Sequence, residues 1–268
     1  MEYLKQFLLC SSFFRESSEL HHIHSETPYN PSPLTAMVRS GVLVRLFLLS
    51  LLSPAVWTMV ENLHQVVSFL EKTYGDGEHQ FALAINVPRQ KCSKGVVPDQ
   101  NFLLDNDIRK VKAAMNDPKS RVYKGQQLIG AKPKRIPRQS NNYHSEYLLL
   151  IKSNPPATSP DDPLMQKLLN RDPDGCVVFY TFNSPCVNTC STPNKPYSII
   201  PALDMFKDHR GPKAFVFTQV WRNDVNSARW KANIRSVSNR VPLYRCDNTG
   251  CYRCVRVKRP IHPKCMSN

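Results

Sequence analysis

Two uninterrupted apolar runs constrain the fold of this 268-residue chain more than any other feature of its sequence. They are CVVFYTF at residues 176–182 and KAFVFTQVW at residues 213–221. Apolar runs of this length between turn-forming residues are typical of strands that are buried on both faces. A helix predicted over residues 225–239 separates the second run from a further strand at 241–246, and it is long enough for these two strands to pair in parallel. The sequence therefore predicts an α/β protein.

The segments around these runs add further elements. Residues 60–74 place four apolar side chains on one helical face and predict an amphipathic helix. Residues 81–87 are β-rich and short, which predicts a buried strand, and residues 121–133 are interpreted as one more strand. A helix is expected to start near His144, and a short one is expected at residues 199–206. The predicted order is α, β, β, α, β, short α, β, α, β.

Near the amino end, residues 37–58 have the pattern of a secretory signal peptide. Arg39 and Arg45 precede an apolar stretch at residues 46–57, which is shorter than the roughly 20 residues that a membrane span needs. A buried core helix is the alternative, but Pro54 and the absence of polar periodicity argue against it. We therefore expect a secreted protein without a stable membrane anchor.

Residues 1–36 are then interpreted as an upstream extension, either disordered or an artefact of the gene model. Residues 1–58 carry four basic and four acidic side chains, so their removal leaves the formal net charge at +15. Such a charge favours a polyanionic partner. Removal also leaves eight cysteines, an even number that is typical of a disulfide framework in a secreted chain.

A candidate metal site is formed by His144-x-Glu146 and, forty residues later, Pro185-Cys186-x3-Cys190. One imidazole and two thiolates make three ligands, and a catalytic zinc leaves its fourth position to water. We expect Pro185 to open a helix that places both cysteines on one side and favours their thiolate form. Glu146 would relay protons without binding the metal. The same HSE triplet at residues 24–26 lies in a polar stretch, and we interpret it as a coincidence.

HSE followed by VVFYTFNSPCVNTC resembles the zinc-dependent deaminase superfamily, and in particular its AID/APOBEC-like branch. With the signal peptide, the pattern is most similar to the secreted AID/APOBEC-like deaminases of fish. The resemblance covers roughly residues 60–246. It implies a cytidine-deaminase-like three-layer α/β/α fold, with a five-stranded mixed sheet whose last two strands are parallel. A deaminase domain at residues 59–246 would be followed by a basic, cysteine-rich tail at residues 247–268.

The same resemblance implies a role for each residue of the motif. His144, Cys186 and Cys190 would be the ligands of Zn²⁺, and Glu146 would be the catalytic proton shuttle. Three departures stand out: the cysteines are separated by three residues instead of the commoner two, Pro193 must end the second metal helix early, and Asn183 replaces the family's tryptophan. An aromatic wall of the base pocket is therefore missing or supplied from elsewhere.

A basic loop precedes the metal histidine and would border the pocket mouth. Such a loop can hold the phosphates of a single strand, although a solvated loop is the alternative for each lysine taken alone. Its candidate phosphate contacts are Lys132, Lys134, Arg135 and Arg138.

Candidate substrate contacts come from three other places. Trp221 could stack on a base and Arg222 could hold a phosphate in the loop after AFVFTQ, although Trp221 could equally pack the strand end. Asn142, beside Asn141, lies where the family often places an asparagine that contacts the sugar. Asn183 lies next to the metal motif and completes the set.

Six cysteines remain once two are assigned to the metal. We expect three disulfides among them, with fifteen possible connectivities. A second zinc site that uses Cys251-x2-Cys254 is the alternative, but no second tight pair completes it. The six are Cys92, Cys176, Cys246, Cys251, Cys254 and Cys265.

Together these features predict a secreted enzyme that deaminates cytosine to uracil in single-stranded DNA or RNA, with adenine as the alternative base. The resemblance implies a role in immune defence. A free nucleoside deaminase is a second hypothesis, although it would gain nothing from the basic loop. A catalytically inactive, cationic protein that binds nucleic acid or microbes is a third. Glu146 argues against the third hypothesis, because a purely structural metal site has no use for a carboxylate that is not a ligand.

Overall fold

The computed structural model describes residues 59–77, 80–105, 107–156 and 163–268 of the chain. The predicted signal peptide and the extension before it lie outside the described residues. Within the described part, no helix combines the length and the apolar character that crossing a bilayer requires.

Seven strands form the main sheet of the described residues: β1 Ala82–Val87, β2 Val122–Lys124, β3 Leu128–Ala131, β6 Cys176–Asn183, β7 Lys213–Gln219, β8 Leu243–Asp247 and β9 Gly250–Arg253. Their order across the sheet is β2-β3-β1-β6-β7-β8-β9. β6 pairs in parallel with β7, and β7 pairs in parallel with β8. The predicted parallel pairing of the strands at residues 213–221 and 241–246 is therefore confirmed. The other neighbours are antiparallel. A separate two-stranded sheet joins β4 Lys134–Arg135 to β5 Asn142–Tyr143.

Helices cover both faces of this sheet. Two hydrophobic clusters result, and successive residues of β6 alternate between them: Phe179 belongs to one cluster and Tyr180 to the other. Both side chains are fully buried, which explains why β6 is apolar along its whole length. The helices α1 Leu63–Tyr74 and α2 Ile108–Asn116 contribute to the second cluster, whereas α3 Ser145–Leu150, α4 Leu164–Arg171 and α5 Ala228–Ser238 contribute to the first. The three-layer α/β/α prediction is confirmed.

The sheet has seven strands instead of the predicted five, for two reasons. The run at residues 121–133 is a hairpin of β2 and β3, because the chain turns at Gly125. A side chain there would lie 2.6 Å from the carboxyl carbon of Asp105, and that carboxylate accepts the N–H of Leu128 at 3.0 Å. The seventh strand is β9 in the tail, which pairs with β8 at the sheet edge.

Two helices were not predicted from the sequence. α2 begins after Asp107, whose carboxylate accepts the N–H of Lys110 at 3.1 Å as an N-cap. α4 begins after Pro163 and buries an apolar face that includes Leu164 and Leu168. Both helices are short, so the helical period repeats too few times to stand out. The predicted short helix at residues 199–206 is a 3₁₀ helix, and the 3₁₀ helices are Arg89–Cys92, Pro201–Phe206, Arg222–Asp224 and Pro263–Cys265.

The prediction of three disulfides is confirmed, and their connectivity is now defined. One bond joins the 3₁₀ helix after β1 to the start of β6, a second joins β8 to β9, and the third lies within the tail. Because Cys251 and Cys254 are both oxidised, the alternative of a second zinc site is wrong. The pairs are Cys92–Cys176, Cys246–Cys251 and Cys254–Cys265.

We expect the three disulfides to differ in their effect on stability. Cys92 and Cys176 are 84 residues apart in the sequence, whereas Cys246 and Cys251 are only 5 residues apart, so the first bond closes a much longer loop. In the chain-entropy model, these loops correspond to roughly 4–5 and roughly 2 kcal/mol of unfolding free energy. Denaturant unfolding of the two double alanine variants should show the larger loss for Cys92/Cys176. Equal losses would contradict this ranking.

Candidate metal centre

The candidate metal centre lies where α3 begins and β6 ends. His144 is the residue before α3, and Leu148, in the next turn, is fully buried in the first cluster. Cys186 follows β6 by three residues, and Val187 joins the same cluster. Packing of these apolar neighbours therefore fixes the histidine and the cysteine-bearing turn against each other.

Three ligand atoms of the centre converge. His144 Nδ1 lies 3.2 Å from Cys190 Sγ and 3.8 Å from Cys186 Sγ. All three lie within 4.8 Å of one another, and the group could hold a metal ion. Zn–S and Zn–N bonds of about 2.3 and 2.0 Å in a tetrahedral site place N and S about 3.5 Å apart. The three side chains therefore fit a tetrahedral zinc ion that keeps one position open.

The predicted helix at PCVNTC is wrong, because the segment forms only one turn. The N–H groups of Cys190 and Ser191 both bond to the carbonyl of Cys186 at 3.0 Å, and Pro193, which has no N–H, follows immediately. That single turn suffices to bring both thiols to one side. The turn is held from outside by Asn233 of α5, whose amide donates to Ser191 Oγ at 3.0 Å.

Glu146 lies beside the three ligands and is almost fully buried, with 1% of its surface exposed. Thr181 Oγ1 donates to Glu146 Oε1 at 2.9 Å, and Ser145 Oγ donates to Oε2 at 3.1 Å. Burial raises the pKa of Glu146, while the charge of His144 and the hydrogen bond from Thr181 act in the opposite direction. A carboxylate whose pKa is raised accepts a proton more readily than an ordinary glutamate, which suits a residue that relays protons.

The two thiols of the centre differ in acidity. A hydrogen bond from Cys190, with a further one from His144, lowers the pKa of Cys186 to about 3 against the opposing effect of burial. The hydrogen bond to Cys186 and complete burial raise the pKa of Cys190 well above its usual value. Because a metal binds thiolate, binding at this site must displace the proton of Cys190.

Gln80 is a site residue that sequence reasoning missed. Its side-chain N–H group donates to Glu146 Oε1 at 3.3 Å and to Thr181 Oγ1 at 2.9 Å. Its carbonyl oxygen accepts from the backbone and side chain of Asn183 at 2.9 and 2.7 Å. Gln219 donates to the other side of that Asn183 amide at 3.0 Å. The only signal in the sequence was a polar residue directly before a buried strand.

A cavity of about 500 Å³ opens over the centre, and its lining includes His144, Glu146 and Cys186. Of the predicted substrate contacts, Asn142, Asn183 and Trp221 line this cavity, as does Asn141. The guanidinium of Arg222 lies 5.6 Å from the centre of the Trp221 ring. Arg222 is not among the residues that line the cavity, whereas Trp221 and the three asparagines lie beside the metal ligands.

Two aromatic rings line the cavity, although residue 183, where the resemblance implies tryptophan, is asparagine. Tyr197 lines the cavity and packs edge-on against Tyr143 and Tyr147, with ring centres 5.5 Å apart in both pairs. Trp221 lines it as well. The aromatic surface expected at residue 183 is thus supplied from two other loops.

The predicted basic loop does border the cavity, since Pro133 and Ile136 line it. Arg135 and Arg138 are exposed, and Lys134 Nζ donates to Asn154 Oδ1 at 3.1 Å. Lys132 differs: it is buried, and its ammonium contacts Asp76 and donates to Asn116 at 2.7 Å. The prediction of Lys132 as a phosphate contact is therefore wrong, because its side chain is buried and its ammonium is already bound to Asp76 and Asn116.

A family model described as Secreted Novel AID/APOBEC-like Deaminase 1 (SNAD1) matches residues 60–268. The chain belongs to this family. No curated protein and no solved structure matches the chain. The SNAD1 match includes the tail after residue 246, where the motif-based resemblance stopped, and β9 of that tail is part of the sheet.

We expect metal binding in this SNAD1 family member to require the three converging ligands. His144→Ala and Cys190→Ala should each lower the bound metal per chain strongly, because two ligands hold an ion poorly. Glu146→Gln is the matched control, since it changes a buried neighbour of similar shape that is not a ligand. Elemental analysis of dialysed protein measures the content. Full metal content in Cys190→Ala would contradict the assignment.

Proposed function

We propose that this SNAD1 family member is a secreted, zinc-dependent enzyme that deaminates cytosine to uracil in single-stranded DNA or RNA. The observation that carries the proposal is the buried Glu146 carboxylate beside a His-Cys-Cys group, within the cavity of a chain from a deaminase family. The resemblance of the motifs to AID/APOBEC-like deaminases supports cytosine as the base.

His144, Cys186 and Cys190 would hold the zinc ion. When bound, zinc lowers the pKa of a water molecule to about 7 and so supplies the nucleophile at neutral pH. Glu146 would accept one proton from the attacking water and donate it to the ring nitrogen N3 as the water oxygen bonds to C4 of cytosine. It would then carry the second proton of that oxygen to the amine, so that the C4–N bond breaks and ammonia leaves. Thr181 and Gln80 hold one oxygen of the carboxylate and Ser145 holds the other, so its orientation is fixed before the substrate arrives.

A nucleic-acid substrate is supported by the surroundings of the cavity. Trp221 and Tyr197 offer ring faces on which bases can stack, an interaction worth about 1–3 kcal/mol per base. Arg135 and Arg138 are exposed in the loop whose Pro133 and Ile136 line the cavity, and the chain carries a formal charge of +15. A free nucleoside would make no use of these cations, so a strand fits better.

Secretion and a role in immune defence are part of the proposal. Three disulfides among the described residues, the word "Secreted" in the family's name and the predicted signal peptide support an extracellular protein. Foreign single-stranded nucleic acid would be the target there.

The catalytically inactive cationic protein remains a second candidate because of one feature of the tail. Arg256, Lys258 and Arg259 are all exposed, and the side chain of Val257 between them is 88% exposed. A surface of this kind can bind anions without any catalysis. Base conversion distinguishes the two candidates, because only the enzyme changes the sequence of its ligand.

Replacing the carboxylate tests the enzyme directly. Glu146→Gln keeps the shape of the side chain but cannot exchange protons, so we expect kcat to fall by about 10²–10⁴-fold with zinc content unchanged. Sequencing of single-stranded DNA and RNA after incubation measures conversion of C to U. Free cytidine is assayed in parallel. Conversion of cytidine alone would favour the nucleoside deaminase, and no conversion by the wild type would favour the cationic protein.

The basic loop makes a separate prediction. Arg135→Ala/Arg138→Ala should weaken binding of a single-stranded oligonucleotide and should reduce the salt dependence of log K by about 0.7 for each phosphate that the protein no longer neutralises. Arg109→Ala is compared with Arg135→Ala alone, so that each variant removes one charge; Arg109 is a matched control because it is exposed on α2 over the opposite face of the sheet. Fluorescence anisotropy at several salt concentrations provides the measurement. Equal effects from Arg109→Ala would indicate that net charge alone attracts the strand.

A further inference from the structure

The loop that carries Trp221 spans residues 220–226 and is called here the Trp221 loop. Its inner side is tied to the metal centre. The N–H of Trp221 donates to Ser184 Oγ at 2.9 Å, and the buried carboxylate of Asp224 accepts the N–H of Val187, the residue after Cys186, at 2.8 Å. The position of the Trp221 ring at the cavity is therefore coupled to the cysteine-bearing turn.

The outer side of the Trp221 loop is held by residues 264–268, called here the C-terminal segment. Asn268 bonds to both backbone groups of Val220: its Oδ1 accepts the N–H at 2.7 Å, and its Nδ2 donates to the carbonyl at 2.9 Å. At the other end of the loop, the N–H of Asn226 donates to the carbonyl of Met266 at 2.8 Å. The first and last residues of the loop are thus bound to one short segment.

The C-terminal segment is itself fixed by strong contacts. The Cys254–Cys265 disulfide anchors its start, and Trp230 Nε1 donates to the carbonyl of Cys265 at 2.9 Å. Arg245 of β8 donates to the carbonyls of Lys264, at 2.6 Å, and of Ser267, as well as to Thr218 at the end of β7, at 2.9 Å.

Arg245 indicates that this connection is a built part of the structure. The side chain belongs to a residue that is only 6% exposed, and burial lowers its pKa. A buried guanidinium is costly unless its donors find acceptors, and here carbonyls of both the sheet and the C-terminal segment accept them. The guanidinium of Arg245 therefore joins the end of β7, where the Trp221 loop begins, to the C-terminal segment that is bonded to that loop.

We propose that the C-terminal segment is a brace that positions the Trp221 loop, with Asn268 as its positioning residue. Trp221 lines the cavity and Arg222 lies beside its ring. In a strand whose target base enters the cavity, the adjoining nucleotide is therefore within reach of this loop, and the brace determines how that nucleotide is held. This inference rests on the proposed function, because the neighbouring nucleotide exists only in a strand. The cysteine-rich tail thereby gains a role in positioning the Trp221 loop at the cavity, although it contains no residue of the metal motif.

Asn268→Ala tests the brace, with Ser267→Ala as its matched control. Asn268 is exposed, so the substitution leaves the core unchanged, and Ser267→Ala keeps the carbonyl that Arg245 contacts. Hydrogen exchange is followed at Asn226, whose bond to Met266 neither substitution removes directly. We expect faster exchange there in Asn268→Ala only. With single-stranded DNA we expect KM to rise about fivefold, the size of one ordinary hydrogen bond, with kcat unchanged and a weaker preference for the neighbouring base.

Three results would overturn the brace. The first is unchanged hydrogen exchange at Asn226 in Asn268→Ala. The second is an equal effect of Ser267→Ala on hydrogen exchange and on KM. The third is faster hydrogen exchange at Asn226 in Asn268→Ala without any change in KM or in the preference for the neighbouring base. If the wild type converts no base, the proposed deamination fails, and oligonucleotide affinity by anisotropy replaces KM. In that case Asn268→Ala must still raise exchange at Asn226 and weaken binding, and otherwise the brace fails too.

Discussion

The parallel pairing of β6 with β7 is the constraint on which the rest of the site depends. Parallel strands end at the same edge of a sheet, and the register places Asn183 opposite Gln219 at that edge. The cysteine-bearing turn leaves β6 and the Trp221 loop leaves β7, so the metal centre and its aromatic neighbour are adjacent by topology. The apolar core that covers both faces of β6 keeps this edge rigid.

The parts of the structure that sequence predicted are those whose signal is local. A run such as CVVFYTF contains enough information to predict a central strand, and HSE with PCVNTC was enough to predict which side chains converge. Gln80 and Tyr197 could not be predicted in this way, because they reach the cavity from distant loops and have no motif of their own. The pairing of Lys132 with Asp76 was equally invisible, since it joins residues 56 positions apart.

Two departures from the family pattern are compensated by local hydrogen bonds in the structure. The longer spacing of the cysteines needs only one turn, because a bond from Cys190 N–H to Cys186 carbonyl already brings both thiols together. The amide of Asn183, in place of an aromatic ring, is bonded on one side by Gln80 and on the other by Gln219. The polar group is therefore satisfied at the cavity wall, where an unpaired amide would be costly.

The cysteine pairing has a consequence for how the protein matures. Eight thiols can pair in about a hundred ways, whereas six can pair in only fifteen. Cys186 and Cys190 are the free cysteines of the described residues, and their sulfur atoms lie close together beside His144. An oxidant that reached them first could join them to each other and remove two ligands. Metal loading before or during oxidation would take both thiols out of exchange and simplify the search for the three native bonds.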